Sequence, residues 1–144
     1  MGMFGAIDAA ASGMTAERLR LDVIANNLAN VNSTRTADGG PYRRQMVVFA
    51  PRSPNATFGQ VLAASFEAGS GVRVVGIVKD SSPFKTVYDP KHPDANAEGY
   101  VSMPNVNVVA EMVDMMTATR AYEANVTAVN AAKGMATKAL EIGR

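Results

Sequence analysis

Apolar side chains recur at alternating steps of three and four at both ends of the chain. Near the amino end, Ile7, Met14, Leu21 and Leu28 stand seven apart, with Ala10, Ile24 and Val31 at the intervening step. That is the seam pattern of a helix that packs lengthwise on another helix. Asp8, Thr15, Glu17, Arg18, Arg20 and Asp22 take the opposite face, while alanine and glycine fill much of the rest. So narrow a stripe suits close helix packing and not a broad globular core. The pattern stops at "NVNSTRTADGGPY", where Asn32, Ser33, Asp38, Gly39, Gly40 and Pro41 supply turn chemistry. The first segment is therefore residues 1–33, helical over about 3–32.

The other end mirrors it. From Val108, the positions Met112, Met115, Thr119, Tyr122, Val126, Val129, Ala136 and Leu140 predict a second long helix within residues 105–144. Asn105 or Asn107 is placed to cap its first turn, and Glu111 lies near the positive end of the helix dipole. Gly134 is its one weak residue, costing about 1 kcal/mol against alanine unless close packing needs the space.

Residues 34–104 change in kind. "YRRQMVVFA" and "GVRVVGIVKD" are rich in branched and aromatic residues and read as strands, with "FKTVYD" and "GYVSM" as shorter ones. Five or so such segments around proline-rich turns predict a small β-rich middle module, with a flexible loop near residues 51–71. The fold class is α+β. Residues 1–33 and 105–144 pair as an antiparallel coiled coil, one discontinuous domain from which the middle module projects.

Composition narrows the function. The chain has 144 residues, 14 basic and 13 acidic side chains and a net charge of +1, spread without a basic stripe, which argues against nucleic-acid binding. It has no cysteine, so disulfides, thiolate catalysis and cysteine-rich zinc sites are excluded together, and His92 is its only imidazole. No stretch approaches the ~20 apolar residues of a membrane span, and the opening residues lack the pattern of a cleaved leader, so neither bilayer insertion nor signal cleavage is expected. "YDPKHPDANAEG" gathers Asp89, His92, Asp94 and Glu98, but Pro90 and Pro93 make it a rigid turn with solvated charges, and its spacing matches no metal loop. No nucleophile or oxyanion motif accompanies it. The expectation is a non-enzyme with no catalytic residue, cofactor or metal.

The remaining signal lies in the ends. Two narrow stripes bury too little surface to hold such long helices alone in water, so they point to helices that join copies from other subunits. A membrane-surface helix would mass basic residues opposite bulky aromatics, whereas the first helix has only Phe4 and mixes acids with bases. Met103, Met112, Met115 and Met116 read as apolar filling. The stretch "VIANNLANVN" is the anomaly, because asparagine costs about 0.6 kcal/mol against alanine inside a helix. Asn26 and Asn27 are expected to contact other helices or subunits, Asn30 to share their flank and Asn32 to end the helix.

At these residues the chain resembles a known family. "ASGMTAERLRLDVIANNLANVNS", followed by "YRR", is similar to the amino-terminal signature of the bacterial flagellar rod and hook proteins. "NVVAEMVDMMTATRAYEANVTAVNAAKGMATKALEIGR" resembles their carboxy-terminal signature. The "TADGGPYRR" connection and the "YDPKHPDANAEGYVSMPNVNVVAEMVDM" approach resemble the proximal-rod members, with another rod subunit of the family as the alternative. The resemblance implies a structural subunit of the flagellar basal body, stacked helically into the hollow rod that carries motor torque to the hook. It implies terminal helices in an inner tube, a β-rich middle facing outward, and export of the unfolded chain by the flagellar type III apparatus. The partners implied are further copies of the chain, neighbouring rod subunits, membrane-ring and rod-adapter proteins and the export apparatus. The location implied is outside the cytoplasmic membrane, periplasmic in a two-membrane cell. Signature positions carried over are Met14, Leu21, Asp22, Ile24, Ala25, Asn26, Asn27, Leu28, Asn30, Asn32, Glu111, Met112, Arg120, Tyr122, Glu123, Asn125 and Leu140.

Stripe and resemblance together predict an assembly interface of Ile7, Met14, Leu21, Ile24, Asn26, Asn27, Leu28, Asn30, Met112, Met115, Arg120, Tyr122, Val126, Val129 and Leu140. Within one subunit, antiparallel pairing brings together positions whose numbers have a constant sum. A sum of about 143 aligns Leu28 with Met115 and Leu21 with Tyr122, and brings Asp8 to Lys133, Arg20 to Glu123 and Asp22 to Arg120.

Overall fold

The computed structural model describes residues 3–37, 39–52 and 71–143. Helix α1 spans Met3–Ala29 and helix α2 spans Val108–Ile142. Between them lie β1 (Gln45–Pro51), β2 (Val72–Lys79), β3 (Lys85–Tyr88) and β4 (Tyr100–Met103). Both helices and all four named strand segments stand where the sequence predicts them. Four strands are present among the described residues, against five or so expected, and nearly all of the expected loop near 51–71 lies outside those residues.

The ends of the helices follow from their side chains. Asn107 Oδ1 accepts hydrogen bonds from the backbone N–H groups of Val109 (3.1 Å) and Ala110 (3.4 Å), so Asn107 is the cap of α2. At the far end of α1, Asn30 Nδ2 donates to the Asn26 carbonyl (2.9 Å) and to Asn26 Oδ1 (2.7 Å). The backbone then tightens to three-residue spacing, with Val31 N donating to Leu28 O and Ser33 N to Asn30 O. The helix thus stops at Ala29, ahead of the expected Asn32, because Asn30 already folds back on Asn26.

Strands β1 and β2 form one two-stranded sheet, β3 and β4 another. β3 and β4 run antiparallel, Lys85 opposite Met103 and Tyr88 opposite Tyr100, whose rings meet edge-on at 5.3 Å. β3 is exposed along its length, so this sheet is anchored by β4, where Val101 is buried.

The chain divides into two compact units, each joining helix to strand. One takes Met1–Leu19, Val48–Gly76 and Ala118–Arg144, and the other Arg20–Val47 and Ile77–Thr117. In the first, the buried residues among those described are small: Ala10, Ser12, Ala16, Ala118 and Ala132. Ser12 Oγ donates to Ala9 O (2.7 Å) and accepts from Val72 N (3.0 Å), tying α1 to β2. Gly71 permits this approach, since its φ of +85° is left-handed and a Cβ there would collide with Ser12 Oγ. Gly13 meets Asn125 of α2 so closely that a Cβ on it would lie 2.8 Å from Asn125 Nδ2. In the second unit, Val23, Ile24, Val101, Pro104 and Val106 are buried around two polar residues, Asn27 and Glu111.

The helix register differs from the expected one. Asn27 touches Glu111 in the second unit and Gly13 faces Asn125 in the first; both pairs of numbers sum to 138, not 143. Arg20 reaches Asp114 (3.7 Å), where Glu123 was the expected partner, and Asp8 bonds Arg52 (3.1 Å), where Lys133 was. On α1 the facing line is Gly13, Arg20 and Asn27, one residue before the apolar Met14, Leu21 and Leu28, which are half-buried. The physical reason is that exposed ion pairs, each contributing about 1 kcal/mol or less, cannot outweigh a buried polar contact that leaves unpaired groups if the helices slide.

Candidate assembly interface and the clasp beneath it

The second unit is centred on a polar clasp. Asn27 is 1% exposed, and its side-chain amide makes four hydrogen bonds. Its Nδ2 donates to Gln45 O (2.8 Å) and to Glu111 Oε2 (3.0 Å), while its Oδ1 accepts from Gln45 N (2.9 Å) and the Tyr42 hydroxyl (2.9 Å). Two donors and two acceptors are the full capacity of a primary amide. No other side chain of this size offers both to an adjacent strand edge and a carboxylate, which answers why an asparagine stands at this helical position.

Glu111 is fully buried, and Arg44 Nε donates to its Oε1 at 2.6 Å. Arg44 also reaches Asp114 (3.2 Å) and Asp80 (3.8 Å). Burial works against the Arg44 cation, but the Glu111 hydrogen bond and the surrounding carboxylates outweigh it and raise its pKa. Burial and the Glu111 charge together raise the Tyr42 phenol, keeping its proton in place to bond Asn27. The Ser82 hydroxyl and N–H, both on Asp80 Oδ1, hold the Asp80 carboxyl below its ordinary value, with a smaller contribution from Arg44. Asn105 Oδ1 accepts from Arg44 N (2.8 Å) and its Nδ2 donates to Ser82 O (3.2 Å). Each charge in the clasp has a partner, and together these contacts tie α1, the start of β1 and α2 to one another.

The predicted interface residues divide sharply. Asn27 and Ile24 are buried, and Ile7, Met14, Leu21, Leu28, Asn30, Met115, Tyr122, Val126 and Val129 are half-buried. Asn26, Met112, Arg120 and Leu140 are exposed. Asn26 serves only the local turn with Asn30, so its expected contact to another helix is absent among the described residues of this one chain. Arg44, Tyr42, Asp80 and Asn105 were not predicted as partners. The "YRR" following the first helix and the carboxylate at Glu111 were visible signals, but nothing in the spacing joins residues 44 and 111.

The acidic turn behaves as turn chemistry. Asp89 Oδ1 accepts from Lys91 N (3.2 Å), His92 Nδ1 from Asp94 N (3.1 Å), and Asp94 bonds the Thr34 hydroxyl (2.8 Å). Among the described residues no three acidic or histidine side chains converge as metal ligands, and no helix is long and apolar enough to cross a membrane.

Comparison with known proteins matches both helical ends. Residues 7–35 match the family "Flagella basal body rod protein", and residues 97–142 match "Flagellar basal body rod FlgEFG protein C-terminal". The flagellar basal-body rod protein FlgC of Borreliella burgdorferi is 52% identical over 99% of this chain and 98% of the relative. Those of Bacillus subtilis and of Escherichia coli are 49% and 44% identical, with both chains covered in full. These matches span the β-rich middle as well as the helices. The chain belongs to the flagellar basal-body rod protein C (FlgC) family and is a structural subunit of the flagellar basal-body rod.

Proposed function

We propose that the chain builds the proximal part of the rod by self-assembly through α1 and α2, which pair as an antiparallel coiled coil within a subunit and pack against copies and neighbouring rod subunits. Ile7, Met14, Leu21, Ile24, Asn26, Asn27, Leu28, Asn30, Met112, Met115, Arg120, Tyr122, Val126, Val129 and Leu140 belong to that interface, with Asn26 and Asn30 closing the end of α1 and Asn27 tying α1 to α2 through Glu111. The β-rich middle faces outward, membrane-ring and rod-adapter proteins bound the stack, and the chain arrives unfolded through the type III apparatus. One observation carries this reading: in a single chain α2 leaves Val109, Met112, Val113, Met116, Met135, Leu140 and Ile142 exposed. A helix with that much apolar surface in water is incomplete without a partner.

The test separates assembly from folding. Leu140 is 76% exposed, so Leu140→Asp should change the stability of the purified chain by less than about 0.5 kcal/mol. In a flagellated host lacking its own copy, the same variant should abolish motility and leave basal bodies without a complete rod. Normal swimming with the variant present in isolated basal bodies would overturn the proposal.

A further inference from the structure

The outward face of α2 carries a continuous ridge. Val109, Met112, Val113 and Met116 follow steps of three, one and three, and each is between 51% and 70% exposed. At 3.6 residues per turn they line one side of the helix, half a turn from Glu111. Arg120 and Glu123 extend the same line and are exposed. The outward face of α1 is different in kind. Arg18, Asp22, Ala25 and Ala29 follow steps of four, three and four, all exposed, half a turn from the line of Gly13, Arg20 and Asn27. One face offers bulk, the other two small side chains that follow two charges.

The two faces fit each other in one register. Laid antiparallel, Met116 falls on Ala25 and Met112 with Val113 on Ala29, so long side chains enter the gaps beside alanine. The same alignment sets Arg120 beside Asp22 and Glu123 beside Arg18, opposite charges in both pairs. Among the described residues none of these four charged side chains has an ion-pair partner within its own chain. We propose that the α2 ridge of one copy seats on the Ala25–Ala29 strip of α1 in a second copy, with the Asp22–Arg120 and Arg18–Glu123 pairs fixing the register.

The symmetry of this contact suits a rod. Two different surfaces meet, so each bound copy still presents one free ridge and one free strip, and addition continues without closing on a two-fold axis. A ridge pairing with the same ridge would end at a dimer. Helices then alternate α1, α2, α1, α2 around the wall, each antiparallel to its neighbours. This inference rests on the assembly role proposed above and names the surfaces that perform it between copies.

The chain lacks cysteine, which permits a clean test. Ala29→Cys and Met112→Cys are placed on separate chains with different tags and co-expressed in a flagellated host lacking its own copy. Isolated basal bodies should contain a disulfide joining the two tags, with neither variant linking to itself. The Ala25→Cys and Met116→Cys pair, one turn along, should repeat the result. Both chains present in basal bodies without the mixed disulfide, for either pair, would overturn this contact alone; absence of the wild-type tagged chain from basal bodies would overturn the assembly role as well. Charge exchange gives an independent arm. Asp22→Arg and Arg120→Asp should each cut the number of completed rods at least tenfold, and the double exchange should recover most of them. Failure of the double variant to recover, with the mixed disulfide also missing, would refute the register.

Discussion

At the scale of single residues, the clasp decides what the asparagine cluster does. Asn27→Ala would leave Glu111 Oε2, the Tyr42 hydroxyl and both backbone groups of Gln45 without the partner they have now. An unsatisfied buried group costs about 1–3 kcal/mol, so the variant should lose at least that much in urea unfolding. Glu111→Leu removes one member of a buried ion pair, a change that costs about 3–5 kcal/mol where the partner is stranded. Arg44 is not stranded, because Asp114 and Asp80 remain beside it, so the loss should fall at the lower end of that range. Asn26→Ala, on an exposed amide that only meets Asn30, should cost less than either. A loss for Asn26→Ala equal to that for Asn27→Ala would show that the amides act as one group.

At the scale of elements, the pattern of branched and apolar residues was enough to place both helices and four strands, because each has its own period and its own punctuation. Of the α1 seam it proposes, Ala10 and Ile24 are buried, while Met14, Leu21 and Leu28 are only half-buried. Periodicity finds the most apolar line, Met14, Leu21 and Leu28, whereas the line that meets α2 carries Gly13 and Asn27, selected for close approach and for hydrogen bonding. Neither property registers as hydrophobicity. The partners of Glu111 were illegible for a related reason, since the clasp joins three segments distant in sequence. The observed register makes its own prediction within the second unit. Ile24 and Met115 stand nearly level when Asn27 meets Glu111, while Leu28 and Met115 are offset by about 7 Å along the helices at 1.5 Å per residue. Cysteines at Ile24 and Met115 of one chain should therefore cross-link under mild oxidation, and cysteines at Leu28 and Met115 should not. The opposite pattern would restore the register expected from the charges.

At the scale of the whole molecule, the question is whether the β-rich middle can stand without the helical ends. Sequence alone sets it apart as residues 34–104, and among the described residues its strands form two sheets of two strands each. Two-stranded sheets are marginal in water unless another layer covers them. In the second unit the buried side chains Val101, Pro104 and Val106 accompany Val23 and Ile24 of α1 and Glu111 of α2. Arg44, Tyr42 and Gln45, which open the middle, direct their polar groups to Asn27 and Glu111 on the two helices. A fragment of residues 34–104 would lose those partners and strand the Arg44 guanidinium beside fewer acids. It should be unfolded at neutral pH, with amide proton signals collapsed into the narrow range of a disordered chain. In the full-length protein, loss of helix and loss of the Tyr88–Tyr100 ring contact should then occur in one thermal transition, read by far-ultraviolet circular dichroism and by tyrosine signals together. A dispersed amide spectrum from the fragment, melting cooperatively, would instead establish the middle as an autonomous module and reduce the clasp to a contact between finished parts.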